Sequence, residues 1–560
     1  MKYLIALLGI FLGFLVEPQE NYSTLTRKAL EIMINSKNET NYKKALDMYE
    51  EAFSIYPDSI DRKGLYKASI LASEIKDYDK AFKYLTPLAA MKTEEDGYPG
   101  WSYIVGNHSE SEYKNLLSNP RWKVLKQKAI KDKSEFYNEL QKKEKEFYSI
   151  NQINLEGIED SRILYEKIKN FNPYKTKKNR DYSISFKVND TTKTSFFIHF
   201  PKDYNPKKRY SLLFFLHGAV RSSELSDYQF ADWNLGGWNR YYTKYADLND
   251  VILVFPDGSR QYNWMGPDDG FFMIPEMLKL IKKTINIDDN KVFISGHSNG
   301  ATGSFSYLMK QPTQFAGFYG FNTYPKVFTG GTFVENIKNR SFINFSTDKD
   351  YYYPPKANDD FTKLMDGINA DYKEYRYNGF PHWFPEFNES EPAFQILFND
   401  LTNRSRKPFP KEISWEFDDE KYGNINWLSG IKLDTLSQKK DWHKELNFKI
   451  TKWLEFKDRE SDDLIEIDVD KNAFNFPRKS GKIKAEYDRN VFRIETSDIK
   501  SFSIYISPEM VNLKKKVKVY INGKLYFNKI VNYNCEFMLQ NFENNQDREQ
   551  IWINSIDLKI

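Results

Sequence analysis

The sequence predicts a multidomain α/β protein: an N-terminal α-helical repeat region, a central domain with a mostly parallel doubly wound sheet, and a C-terminal β-sandwich-like domain. Three observations carry that expectation. Helical periodicity with an internal repeat occupies residues 22–150, apolar strands alternate with amphipathic helices over 181–405, and short alternating strands with turn signals fill 411–560. Residues 151–180 read as a linker between the first two regions. A chain of 560 residues with 40% hydrophobic content has room for about three domains.

At the N-terminus, one lysine precedes the apolar run Tyr3–Val16, which is too short to span a bilayer comfortably and is followed by polar Glu17-Pro-Gln-Glu20. Residues 1–20 therefore read as a secretory signal, and the mature chain is expected to be exported, periplasmic or extracellular. No Ala-x-Ala cleavage site follows, so retention as an N-terminal membrane anchor is the alternative. No further apolar run suggests a membrane span in the mature chain. Cys535 is the single cysteine, which excludes an intrachain disulfide and a lipid-modified cysteine after the leader. The 82 basic and 78 acidic residues nearly balance at a net charge of +4, and the lysines are dispersed. Nucleic-acid binding has no support; Lys514-Lys-Lys-Val-Lys518 reads as the solvated face of a strand and its turn.

In the helical region, Tyr42 and Ala45 recur at Tyr78 and Ala81, thirty-six residues further on. This repeat resembles tetratricopeptide helix pairs, in which small alanines let helices approach closely. So few repeats seldom bury enough surface alone, which suggests docking on the central domain; a free peptide-binding groove for a protein partner is the alternative.

The central region holds the chemistry. The apolar run Lys291–Ser295 leads into Gly296-His-Ser-Asn-Gly300, and small residues open a helix from Ala301. A Gly-x-Ser-x-Gly turn between strand and helix strains the serine backbone and projects its hydroxyl, and the flanking glycines avoid collisions. Ser298 is therefore the candidate nucleophile. The N–H of Asn299, at the helix start, is a candidate oxyanion donor.

A serine hydroxyl needs a base, and the base an orienting acid. Of six histidines, His108 lies in the helical region and His443 in the C-terminal β region. His199 and His217 belong to strands and His297 to the turn itself. His382, in Asn378–Pro385 after the strand Asp371–Tyr377, remains as the candidate base. The acid is expected after the strand Ser341–Ser346, where two aspartates qualify, Asp348 and Asp350. The buried strand from Ser211 ends in His217-Gly218, so the N–H of Ala219, or in second place Val220, is the expected partner of Asn299.

Residues of about 180–400 resemble the secreted branch of α/β-hydrolases containing polyhydroxybutyrate depolymerases, feruloyl esterases and acetylxylan esterases. The matching pieces are Leu216-His-Gly-Ala219, Val254-Phe-Pro-Asp-Gly258, Ile287–Gly300, the Asp-x-x-x-Pro loop at Asp350 and Gly379-Phe-Pro-His-Trp383. The resemblance implies an α/β-hydrolase catalytic domain over 181–405 with a Ser-His-Asp triad whose acid is Asp350 in preference to Asp348, and leaves the substrate open. Two positions depart from the pattern: Ala301 and Thr347 stand where glycine is common in that group.

Ile274, Met277, Leu278, Ile281 and Ile285 mark a helix facing the sheet, with Pro275 expected to kink or delay its start. The segment between Asn322 and Arg340, where lids are often inserted, is short, so the site is expected to be open. Trp238, Trp264 and Trp383 are candidate substrate-contacting aromatics, with Trp233 and Phe384 nearby, since flat faces suit sugar or hydroxycinnamoyl rings as well as ordinary packing. Asp257, Asp268 and Asp269 are candidates for substrate hydroxyls, or for turn and helix caps.

In the C-terminal region, alternating runs at 463–469, 492–495, 501–506 and 517–521 predict strands, and Asn522-Gly523 predicts a tight hairpin. Such an appendage either binds carbohydrate or packs over the active-site rim. The expected function is a serine carboxylester hydrolase acting on acyl or feruloyl esters of polysaccharides or related small-molecule esters, without metal or organic cofactor. The alternatives are a serine peptidase of prolyl-oligopeptidase-like type and a non-catalytic tetratricopeptide-bearing binding protein.

Overall fold

The computed structural model describes residues 21–35, 37–93, 97–458 and 463–560. The signal segment expected at 1–20 lies outside the described residues. The chain divides after Gln141 into two compact units.

The first unit is helical, with α1 (Tyr22–Asn35), α2 (Glu39–Ile55), α3 (Arg62–Glu74) and α4 (Tyr78–Ala89) in succession. Asn38, Asp61 and Asp77 cap the last three, each accepting a hydrogen bond from an N–H of the first turn, which satisfies a donor that has no partner within the helix. The repeated Ala45 and Ala81 are both fully buried, together with Ala68 and Ala72 of α3, so the small residues lie where the helices meet. Among the described residues, no helix is long and apolar enough to cross a membrane.

The second unit is built on an eight-stranded sheet: β1 (Asp181–Lys187), β2 (Lys193–His199), β3 (Tyr210–Leu216), β4 (Val251–Pro256), β5 (Ile287–Gly296), β6 (Gly317–Phe321), β7 (Ser341–Lys349) and β8 (Tyr372–Pro381). Its order is β1-β2-β4-β3-β5-β6-β7-β8, with β1 and β2 antiparallel and the strands from β4 to β8 parallel. Both faces are covered. Leu212 and Phe214 of β3 join an apolar cluster with Met277, Leu278 and Ile281, whereas Leu213 and Phe215 join a second with Tyr242 and Phe394. A strand sends successive side chains to opposite faces, so the continuous apolar run of β3 is what a sheet layered between helices requires. Pro275 sits in the first turn of the helix Met273–Thr284. There its missing N–H costs nothing, and no delay of the helix results.

The stretch read as a linker contains the helix Ser161–Lys169, whose Leu164 and Ile168 are buried in the apolar cluster of this unit. The periodicity is real but spans under three turns, too short to stand out from sequence.

The C-terminal region contributes β9 (Glu412–Phe417), β10 (Leu428–Leu433), β11 (Lys449–Phe456), β12 (Leu464–Asn472), β13 (Gly481–Asp488), β14 (Val491–Ser497), β15 (Ile499–Ile506), β16 (Val517–Ile521), β17 (Lys524–Lys529) and β18 (Asn554–Lys559). They form a five-stranded sheet, β17-β16-β14-β13-β9, a three-stranded sheet, β10-β15-β18, and the two-stranded ribbon β11-β12. Asn522 and Gly523 both have positive φ (49° and 82°), the backbone a two-residue hairpin turn demands.

This region shares its apolar cluster with the α/β core instead of closing on itself. Buried charges add a second tie. Arg548 bonds Asp289 of β5 at 2.9 Å, Lys282 lies 3.1 Å from the same carboxylate, and Arg406 bonds Asp547 at 2.8 Å. Burial acts to raise the Asp547 carboxyl, yet the charges of Arg406 and Lys282 hold it below the usual carboxylate range.

Candidate active site

Ser298 stands at the C-terminal end of β5, immediately before the helix Asn299–Lys310, with φ 57° and ψ −119°. That conformation is strained for a residue with a side chain, and the surrounding contacts over-determine it. The N–H of His297 donates to Leu216 O, that of Ser298 to Phe321 O and that of Gly300 to His297 O. A Cβ on Gly300 would lie 1.8 Å from Leu216 O, so only glycine permits the helix to start this close to β3. None of these turn-fixing bonds uses the N–H of Asn299. The alanine at 301 is fully buried, and Gly320 on the neighbouring strand leaves room for its methyl group.

The structure brings Ser298, His382 and Asp350 together. Ser298 Oγ lies 2.9 Å from His382 Nε2, and His382 Nδ1 lies 2.7 Å from Asp350 Oδ1. With a carboxylate facing Nδ1, the proton sits on that nitrogen, and Nε2 is left to accept from the serine. Asp350 and His382 are buried, whereas Ser298 is partly exposed. Asp348 is elsewhere: its carboxylate accepts from the N–H of Gly379, a tie between the ends of β7 and β8.

Ala219 is exposed with φ 55°, and Val220 beside it is fully buried in the core. The ring of His217 sets this loop, because the N–H of Gly258 donates to Nε2 at 3.1 Å and Nδ1–H donates to Gly218 O at 2.7 Å. This loop lies against the nucleophile, since a Cβ on Gly218 would come within 3.2 Å of Ser298 Cβ, and Asn299 opens the helix that follows Ser298, where negative charge is favoured.

Three further residues hold the base, and sequence reasoning gave a role to none of them, Thr347 standing out only as a departure from glycine. His297 Nε2–H and Asn322 Nδ2 both donate to His382 O at 2.8 Å. Thr347 Oγ1 lies 3.3 Å from both Asn322 Oδ1 and Pro381 O, so the hydroxyl that departs from the expected glycine braces the same loop. Burial, reinforced by repulsion from a charged His382, pushes the His297 imidazole down to about 3, so it stays neutral. Tyr352 joins the acid loop to the elbow: its hydroxyl accepts from Asn299 Nδ2 at 2.9 Å and lies 3.0 Å from Thr302 Oγ1. The position of His297 inside the turn was its one sequence signal.

Of the three candidate aromatics, Trp238 and Trp383 are 37% and 43% exposed, with their rings 6.1 Å apart. Trp383 lies 5.0 Å from His382 and Trp238 lies 5.3 Å from His297. Trp264 is a correction: it is 0% exposed and packs edge-on against His217 at 4.7 Å, so it supports the loop from below and offers no face to substrate. A tryptophan in a loop between core elements gives no sequence sign of its depth. The carboxylate of Asp257 caps a turn, accepting from the N–H of Ser226 at 2.7 Å. The segment 322–340 is short, as expected, but the rim beside Tyr351 is filled from far downstream, by Phe456 of β11.

Residues 190–324 match the esterase family whose description reads "Putative esterase". Comparison with curated proteins returns no match. Among solved structures, a thermostable esterase is 22% identical with a TM-score of 0.34; the alignment covers 40% of this chain and 64% of that one. An S-formylglutathione hydrolase of Staphylococcus aureus is 16% identical, covering 40% and 100% of the two chains with a TM-score of 0.30. A ferulic acid esterase is 14% identical, covering 39% and 98%, with a TM-score of 0.32. Likenesses this distant fix neither substrate nor mechanism. The family match falls on the strands and the turn that carry Ser298, and it supports the class of enzyme: a carboxylic ester hydrolase.

Proposed function

We propose that this protein is an exported serine esterase that cleaves acyl or feruloyl esters of polysaccharides, or related esters, through an acyl-enzyme. The observation that carries the reading is the pair of contacts at His382: 2.9 Å to the Ser298 hydroxyl on one ring nitrogen and 2.7 Å to Asp350 on the other. In this reading Ser298 Oγ attacks the ester carbonyl while His382 Nε2 takes its proton. Asp350 keeps the imidazole in the required tautomer and stabilises the imidazolium that forms. The N–H groups of Asn299 and Ala219 stabilise the oxyanion. The imidazolium then protonates the leaving alkoxide, and water, activated by the same histidine, hydrolyses the acyl-enzyme and restores Ser298.

Sugar or hydroxycinnamoyl esters are favoured by the exposed rings of Trp238 and Trp383 beside the base. Export is the reading of the leader-like Met1–Val16 segment, and the helices of the first unit are proposed as a tetratricopeptide-like surface for a protein partner.

Purified full-length protein, assayed with p-nitrophenyl acetate, tests the reading. Ser298→Ala is expected to lower kcat by at least 10³-fold, as loss of a triad nucleophile does. Hydrolysis at the wild-type rate in that variant would remove the assignment, and cleavage of peptides in preference to esters would replace it with a peptidase.

A further inference from the structure

The ribbon β11-β12 pairs with no other strand among the described residues. Two of its aromatic side chains lie on the loops around the triad. Trp453 packs on Tyr324 and Tyr353, with ring centroids 5.9 and 6.1 Å away. Phe456, at the end of β11, packs on Tyr351 at 4.9 Å. Tyr351 in turn lies 5.1 Å from His382 and 6.1 Å from Trp383.

Phe456, Tyr351, Trp383 and Trp238 therefore follow one another in a row that passes the base. The ribbon is anchored by Trp453, whereas Phe456 remains 44% exposed and Trp383, two rings along, 43%. A large apolar side chain left half in water contributes little to holding the ribbon down, because the stabilisation scales with the apolar area removed from water. It is well suited to cover the flat face of a ring, where stacked or edge-on contacts add to simple area burial.

We infer that Phe456 is a specificity-determining residue of the ester-hydrolysing site, and that the C-terminal ribbon extends this site so as to receive a ring carried by the substrate. The inference rests on the proposed esterase reading. The apolar face of an aryl ring and that of a pyranose present the same chemistry to this row, and the two are separated by experiment.

Full-length wild type, Phe456→Ala and Phe456→Tyr are compared on ethyl acetate, benzyl acetate and a peracetylated xylobiose, with acid release followed in a pH-stat. Phe456→Ala is expected to lower kcat/KM, chiefly through KM, by about 3- to 10-fold more for one of the ring-bearing esters than for ethyl acetate, and Phe456→Tyr to restore it. Which ring-bearing ester suffers identifies the source of the ring. An equal loss on all three esters, or none on either ring-bearing ester, overturns the inference. Failure of the esterase reading looks different: Ser298→Ala would then hydrolyse ethyl acetate as fast as wild type, whatever the behaviour of Phe456.

Discussion

His297 makes the stability of the catalytic unit depend on pH in a way that can be calculated. Its imidazole is buried and held at about 3, against about 6.5 for an exposed histidine. The unfolded chain therefore binds a proton below pH 6.5 that the folded chain refuses until about pH 3. Stability from this group is fully present above pH 6.5 and declines as the pH falls, by about 1.4 kcal/mol per unit. Between pH 8 and pH 5 the loss comes to about 2 kcal/mol. Other groups titrate in the same range, so the informative quantity is the difference between wild type and His297→Gln, whose amide keeps a donor for His382 O without titrating. The variant loses packing and is the less stable at pH 8; its disadvantage is expected to shrink by about 2 kcal/mol at pH 5. Urea midpoints at both pH values, read by fluorophosphonate labelling of Ser298, report on the unit that contains the site. Parallel pH dependence of the two proteins would mean that the folded state protonates His297 as readily as the unfolded chain does, and that burial does not hold the imidazole neutral.

Two further outcomes follow from the geometry. Asp350→Asn is expected to lower kcat on p-nitrophenyl acetate by about 10⁴-fold, because the amide no longer selects the tautomer that leaves Nε2 free, while Asp348→Asn, at a carboxylate bonded to the N–H of Gly379, changes kcat less than tenfold; comparable losses in both variants would contradict the assignment of the acid. Asp547→Asn leaves Arg406 buried without its carboxylate and is expected to destabilise the second unit by about 3–5 kcal/mol, seen as an earlier loss of fluorophosphonate labelling in urea; an unchanged midpoint would show that this ion cluster is not what ties the C-terminal strands to β5.

Much of the central domain is readable from sequence because each element there obeys one strong local rule. β3 and the second half of β5 are apolar runs bounded by turn chemistry, and Gly296 and Gly300 stand at the two positions of the turn that tolerate no Cβ. The two aspartates could not be separated by pattern, since they lie two residues apart, on either side of the end of β7; burial and direction distinguish them. The depth of Trp264 was hidden for a related reason: an aromatic residue in a loop can be core or rim. The bracing of His382 O by His297 and Asn322 depends on a backbone carbonyl, which no residue type announces.

The ribbon was half legible. β12 shows alternation, but β11 carries polar residues on both faces, and nothing in its sequence says that it reaches the acid loop 350–354. Its destination is decided by tertiary packing of Trp453 and Phe456 on rings contributed from about a hundred residues upstream. Likewise, the helix Ser161–Lys169 is anchored by Leu164 and Ile168 in a cluster assembled from distant segments, so its local signal is weak.

In the proposed reaction one oxygen, Ser298 Oγ, becomes acylated with His382 as its base. Rapid acid quench of the full-length enzyme turning over p-nitrophenyl acetate, followed by peptide mass analysis, measures this directly. An acetyl group is expected on the peptide containing Ser298, formed in a burst and lost in His382→Ala. Steady hydrolysis with no acyl group on that serine would contradict it.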